Sequence, residues 1–92
     1  MIKNFKHKGL KQFFCENKKN RLNHQQCDRI SRLLDRLDAA EIVEDMNLPG
    51  YELHKLTGNK KNMWSIKVSG NWRIIFRFEN GHAYDVNLED YH

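Results

Sequence analysis

The stretch Trp64-Ser65-Ile66-Lys67-Val68-Ser69-Gly70-Asn71-Trp72-Arg73-Ile74-Ile75-Phe76-Arg77-Phe78 decides the fold. On either side of Ser69-Gly70-Asn71, apolar residues recur at every second position, the period of a strand that buries one face. Trp64, Ile66 and Val68 share that face with Trp72, Ile74, Phe76 and Phe78. A slip of one residue would turn the whole set to water, so the register is predictable. With Ser69-Gly70-Asn71 as a three-residue loop, Val68 pairs with Trp72 and Ile66 with Ile74, which sets Lys67 opposite Arg73 on the other face. Like charges so placed cost from a few tenths to about 1 kcal/mol, and an anion between them reverses the sign. The open face, with Lys67, Arg73 and Arg77, is therefore a candidate phosphate-binding surface, since a guanidinium fork holds two phosphate oxygens. A solvated face whose long side chains splay apart is the alternative, and the pattern alone leaves both standing.

The same alternation extends downstream to His82–Leu88 and upstream to Tyr51–Leu56. A three-residue loop at Glu79-Asn80-Gly81 predicts Phe76 opposite Tyr84, Ile74 opposite Val86, Trp72 opposite Leu88, Arg73 opposite Asn87 and Ile75 opposite Asp85. Before Pro49 the period becomes helical. Leu10, Phe13 and Phe14 mark a first helix ending near Asn17, and Asn23 caps a second in which Cys27, Ile30, Leu33, Leu34 and Leu37 form one apolar stripe. The acidic run Glu41–Asn47 reads as a further helical turn, and Ile2–Phe5 as a short first strand. The fold class is α+β: one small domain, residues 1–92, in β-α-α-β-β-β order, its mainly antiparallel sheet covered on one face by the two helices.

The 92 residues suffice for one modest core but not for a deep enclosed cavity, so a functional site must lie on an open surface. Sixteen Lys and Arg against twelve Asp and Glu give a net charge of +4, and the distribution is uneven. Lys3 to Arg21 holds seven bases and one acid, Lys55 to Arg77 six bases and no acid, and Asp35 to Glu52 six acids and one base. A polyanionic partner is one explanation and a mixed solvated surface the other. Met1–Lys8 lacks the apolar run of a secretory signal, and a cytoplasmic location is expected. Cys15 and Cys27 have no metal-type spacing and are expected as free thiols packed on apolar helix faces.

None of the five histidines has zinc-type spacing, and neither a metal nor a cofactor is expected. His7, His24 and His82 read as solvated. His54 lies on the strand face shared with the cationic surface, and His92 follows the last strand with little slack. Were His54, Arg73, Tyr91 and His92 to meet, they would supply what RNA cleavage needs: a base for the 2′-OH, an acid for the departing 5′-oxygen and a cation for the phosphorane-like transition state.

Met1-Ile2-Lys3-Asn4-Phe5-Lys6-His7-Lys8-Gly9-Leu10, Leu53-His54-Lys55-Leu56 with Gly58, Trp64–Val68 with Asn71-Trp72-Arg73, and Glu89-Asp90-Tyr91-His92 together resemble, along the whole chain, HigB-type toxins of the RelE/ParE superfamily. The resemblance implies an mRNA endoribonuclease that acts in the ribosomal A site. It also implies a HigA-type helix-turn-helix antitoxin, with operator DNA bound only through the antitoxin complex. By position it makes His54 and His92 the proton-transfer pair, Arg73 the phosphate stabiliser, and Asp90 and Tyr91 positioning groups. Lys55, Lys60, Lys61 and Lys67, with Arg77, would contact messenger or ribosomal RNA. Some relatives carry a lysine where this chain has Thr57, a charge that is absent here or supplied by Lys55 or Lys60. A ParE-like gyrase inhibitor and a non-enzymatic nucleic-acid-binding module are the alternatives, and His54 and His92 count against the first.

Overall fold

The computed structural model describes residues 1–58 and 62–90. Helix α1 spans Lys8–Glu16, a 3-10 turn His24–Gln26 leads into α2 at Cys27–Ala39, and a second 3-10 turn covers Val43–Met46. Strands β1 (His54–Lys55), β2 (Met63–Ser69), β3 (Trp72–Glu79) and β4 (His82–Asp90) form one antiparallel sheet in that order. Helix α2 lays Cys27, Ile30, Leu33, Leu34 and Leu37, all buried, over one face of that sheet. Beneath it lie Ile66, Val68, Ile74, Phe76, Ala83, Val86 and Leu88. Each large aliphatic side chain so buried is worth about 1.5–3 kcal/mol.

The β2–β3 register is the predicted one through its centre: Ile66 pairs with Ile74 and Lys67 with Arg73. The loop is tighter than expected. Only Gly70-Asn71 separates the strands, Gly70 has φ 54°, and a bulge after Lys67 sets Ser69 rather than Val68 opposite Trp72. At this end of the sheet Trp72 is 37% exposed instead of joining the core.

The predicted β3–β4 register is corrected. Asn80 (φ 53°) and Gly81 (φ 79°) both take the positive φ of a two-residue type I′ turn, so Glu79 pairs with His82 and Arg77 with Tyr84. Between Ile75–Asn87 and Arg77–Tyr84 a second bulge sets Phe76 against Asp85 and Val86, with Asp85 at φ 55°. Beyond it Ile74 pairs with Leu88, Arg73 with Glu89 and Trp72 with Asp90. The turn and the bulge each move the register by one residue, which accounts for the two-residue difference at Trp72.

The predicted first strand is instead a segment touching β4 through two isolated parallel bridges, Ile2–Ala83 and Phe5–Val86. Its ladder is interrupted at the bulge. There the Asp85 N–H donates to Asn4 Oδ1 and Asn4 Nδ2 donates to Asp85 Oδ1, each at 2.9 Å. The strand expected over Tyr51–Leu56 shortens to His54–Lys55. Cys27 is buried as expected, but Cys15 is exposed, because it lies about 200° around α1 from Phe13.

His7, read from the sequence as solvated, is the N-cap of α1: its Nδ1 accepts from Leu10 N–H at 3.1 Å. A cap acceptor must be unprotonated. Burial, aided by the nearby Arg21 charge and partly opposed by a backbone hydrogen bond, holds the His7 pKa below its ordinary value. A depressed histidine pKa means that the unfolded chain takes up the proton first. The stabilisation is thus complete above the ordinary histidine value of about 6.5 and is lost as pH falls through the folded-state value. Lowering pH from about 7.5 to about 5.5 should lower the thermal midpoint, and His7→Asn, whose carbonyl caps at any pH, should flatten that dependence. Equal pH slopes for the two proteins in calorimetry would remove His7 as the cause.

Candidate active site on the open sheet face

Strand alternation places His54, Ser65, Ile75 and Asn87 in one cross-strand row on the face away from α2, with Lys67, Arg73 and Glu89 in the next row and Met63, Arg77 and Tyr84 on the other side. This face is not bare. Ile75 is only 2% exposed, sealed beside a groove of about 340 Å³ into which Lys6, Met63, Asp85, Asn87 and Glu89 also open.

Arg73 is held there by two uncharged acceptors. Its Nε–H donates to Ser65 Oγ at 2.9 Å and its Nη2 to the Glu52 carbonyl at 2.6 Å. Ser65 is 1% exposed and pairs across the ladder with His54, so the hydroxyl that holds the guanidinium belongs to the residue opposite the histidine. The Glu52 carbonyl is aimed by a left-handed φ of 48°. The preceding residues are tied to α2 in turn: Arg29 Nη2 donates to Gly50 O at 2.7 Å and Lys67 O at 3.0 Å, and its guanidinium lies 4.9 Å from the Tyr51 ring centroid. Nη1 of Arg73 has no acceptor among the described residues. Two N–H donors of a pre-set fork are thereby left for an oxyanion.

The other predicted residues separate. His54 is exposed on β1, on the same face as Arg73. Lys67 stands beside Arg73 as predicted, but its Nζ is 3.2 Å from Glu52 Oε2. Much of the expected like-charge tension is relieved within the chain. Arg77 hydrogen-bonds Glu79, has Asp85 at 3.6 Å, and lies 4.4 Å from the Tyr84 ring centroid. The Glu79 hydrogen bond, foremost, raises its already high pKa. Lys55 alternates to the face opposite His54, its Nζ 5.8 Å from the Trp64 ring centroid. Asp90 is exposed and pairs with Trp72, one step out of phase with Glu89. Lys60, Lys61, Tyr91 and His92 lie outside the described residues. Among the described residues no group of three or more His, Cys, Asp and Glu is gathered to hold a metal, and no helix is long and apolar enough to cross a membrane.

Sequence reasoning missed Ser65 and the Glu52 carbonyl. The signal for the first was present: a small hydroxyl two residues before Lys67, beside the position opposite Arg73, in an otherwise apolar or cationic strand.

An antiparallel sheet covered on one face by helices suits a RelE-like toxin, and a family model described as "RelE-like toxin of type II toxin-antitoxin system HigB" matches residues 3–92. The chain is 47% identical over 92 residues, the full length of both, to Endoribonuclease HigB of Proteus vulgaris. It is 35% identical over 91 residues to Toxin HigB-1 of Vibrio cholerae serotype O1, covering 97% of this chain and 96% of that one. The chain belongs to the HigB-like toxin family, whose type II systems pair each toxin with an antitoxin.

Replacing Ser65 by Ala removes the acceptor of Arg73 Nε–H without altering the face. A hydrogen bond to a charged group is worth about 1.5–3 kcal/mol, so Nε–H exchange with solvent, followed by nitrogen-15 NMR, should accelerate by about tenfold or more. An unchanged exchange rate would show that the hydroxyl does not hold the guanidinium.

Proposed function

We propose that the chain is an endoribonuclease that cuts messenger RNA in the ribosomal A site and so arrests translation and growth, until a HigA-type helix-turn-helix antitoxin neutralises it. The observation that carries this reading is Arg73, held by Ser65 and Glu52 with no acceptor for Nη1 among the described residues, on the face that also bears His54. The full-length identity with a relative named as an endoribonuclease supports it from outside the fold.

In the proposed reaction one histidine of the pair His54 and His92 takes the proton of the 2′-OH. The 2′-oxygen forms a bond to the adjacent phosphorus, the bond from phosphorus to the 5′-oxygen breaks, and the other histidine protonates the leaving oxygen. The products are a 2′,3′-cyclic phosphate and a 5′-hydroxyl end. Arg73 meets the charge that grows on the non-bridging oxygens, where a pre-set donor lowers the barrier without having to reorganise. Asp90 and Tyr91 are proposed to position these groups. Lys67 and Arg77 are held by carboxylates of their own, so their contribution to RNA binding requires exchange of an ion pair. No cofactor or metal is assigned a step.

Expression of the chain with mapping of new mRNA 5′ ends, with and without translation, tests the reading. Cuts confined to translated messages are expected. His54→Ala and His92→Ala should each lower cleavage by about 10²–10⁴-fold and relieve growth arrest, the usual range for loss of a general acid or base. Arrest with intact messages and damaged DNA would replace the nuclease by a gyrase inhibitor, and salt-sensitive RNA binding without cuts would replace it by a binding module.

A further inference from the structure

The basic run Lys3–Arg21 has no part in the chemistry above, yet the fold gathers part of it. Lys6, His7, Lys8, Gly9, Arg21 and Asn87 line a groove of about 500 Å³ at the start of α1. Two of these residues, Lys6 and Asn87, also line the groove beside Ile75 on the open sheet face, so the two depressions meet across β4. We propose that the α1 groove carries the backbone of single-stranded messenger RNA leading away from the cleavage face, with Lys6, Lys8 and Arg21 on its phosphates. The proposal rests on the RNA-cutting reading and deepens it.

Charge separates the two grooves. Asp85 and Glu89 line the first and lie near Lys6 there, whereas among the described residues no carboxylate lines the second. Lys6, Lys8 and Arg21 have no ion-pair partner among the described residues, unlike Lys67 and Arg77. Three exposed cations converge on one concave surface, none of them in an ion pair among the described residues, the arrangement that favours a polyanion tracking through it. Gly9 permits the convergence: a Cβ there would fall 2.8 Å from the Arg21 Cβ and 2.8 Å from His7 Cε1, so any larger residue would push Arg21 off the helix start. Asn87 contributes an amide that donates to Glu89 at 3.0 Å on the sheet side of the junction.

The test is fluorescence anisotropy with 2′-deoxy-substituted, uncuttable strands of about four and about ten nucleotides, the first covering the sheet face alone and the second long enough to enter the groove. Each single-strand phosphate neutralised contributes about 0.7 to the slope of log affinity against log salt. For the long strand, Lys6→Gln/Lys8→Gln/Arg21→Gln should therefore lose about 2 from the wild-type slope, and for the short strand almost nothing. Equal slopes on the long strand overturn the proposal. So does an equal loss on both strands, which would mean a diffuse field rather than a path. Lys8→Glu alone, at an exposed position in the first turn of α1 where an acid suits the helix dipole, should weaken the long strand by about tenfold at low salt, and an unchanged affinity overturns the proposal. Loss of polyglutamate binding with RNA binding intact would hand the groove to an acidic protein segment. Because the strands cannot be cut, the readouts stay separate. A wild type that binds with the steep slope but leaves translated messages uncut sinks the nuclease reading alone, and cuts in translated messages with equal slopes sink the groove alone.

Discussion

Burial of Ile66 against Ile74 beneath helix α2 is the constraint from which the free face follows. Both side chains are fully buried, and exposing the pair would cost several times the roughly 1 kcal/mol at stake in setting Lys67 beside Arg73. The core therefore dictates the register and the charged face accepts the result. What the chain does with the unfavourable pair is specific: Glu52 gives its carboxylate to Lys67 and its carbonyl to Arg73, so a single residue on the approach to β1 separates the two cations. One becomes a neutralised neighbour and the other a fixed donor.

That division of labour makes the approach to β1 as important as the strands. Arg29 on α2 reaches under Tyr51 to the carbonyls of Gly50 and Lys67, and Tyr51 O accepts from Lys67 N–H at 2.7 Å. Glu52 can then hold a left-handed backbone that an unsupported loop would abandon. The helix layer thus acts on the opposite face of the sheet through backbone acceptors rather than through side-chain contact.

The sequence made legible what a hydrophobic period can carry. The helices follow from the apolar stripes of Leu10–Phe14 and Cys27–Leu37, the β2–β3 pairing and the juxtaposition of Lys67 with Arg73 from the apolar set in Trp64–Phe78, and the alternation in Tyr51–Leu56 put His54 on the same face as Arg73. It failed where the backbone departs from the period. Asn80-Gly81 could be read as part of a three-residue loop as readily as a two-residue one, and nothing apolar announces that Asp85 is an extra residue. Trp72 looked like core because its position in the pattern is a core position, but the sheet outruns its helical cover there. The candidate site was legible in its charges and its histidine, less so in what holds them, because Ser65 and a carbonyl oxygen carry no charge and no periodicity. His7 was read as solvated for the same reason: a cap is a matter of three residues, not of a pattern.

The bulge at Asp85 has a consequence beyond the register it shifts. On its N-terminal side, even-numbered residues of β4 face away from the helices, as Tyr84 does; on its C-terminal side they face toward them, as Val86 and Leu88 do. One residue inverts the phase of the strand, like a half-wavelength plate in an optical path. The side of the sheet on which Asp90 emerges is thus chosen five residues earlier, and the choice is clamped by Asn4 from the far end of the chain. A one-residue insertion or deletion between Gly81 and Leu88 would exchange the two faces of everything after it, even with every residue of the site intact.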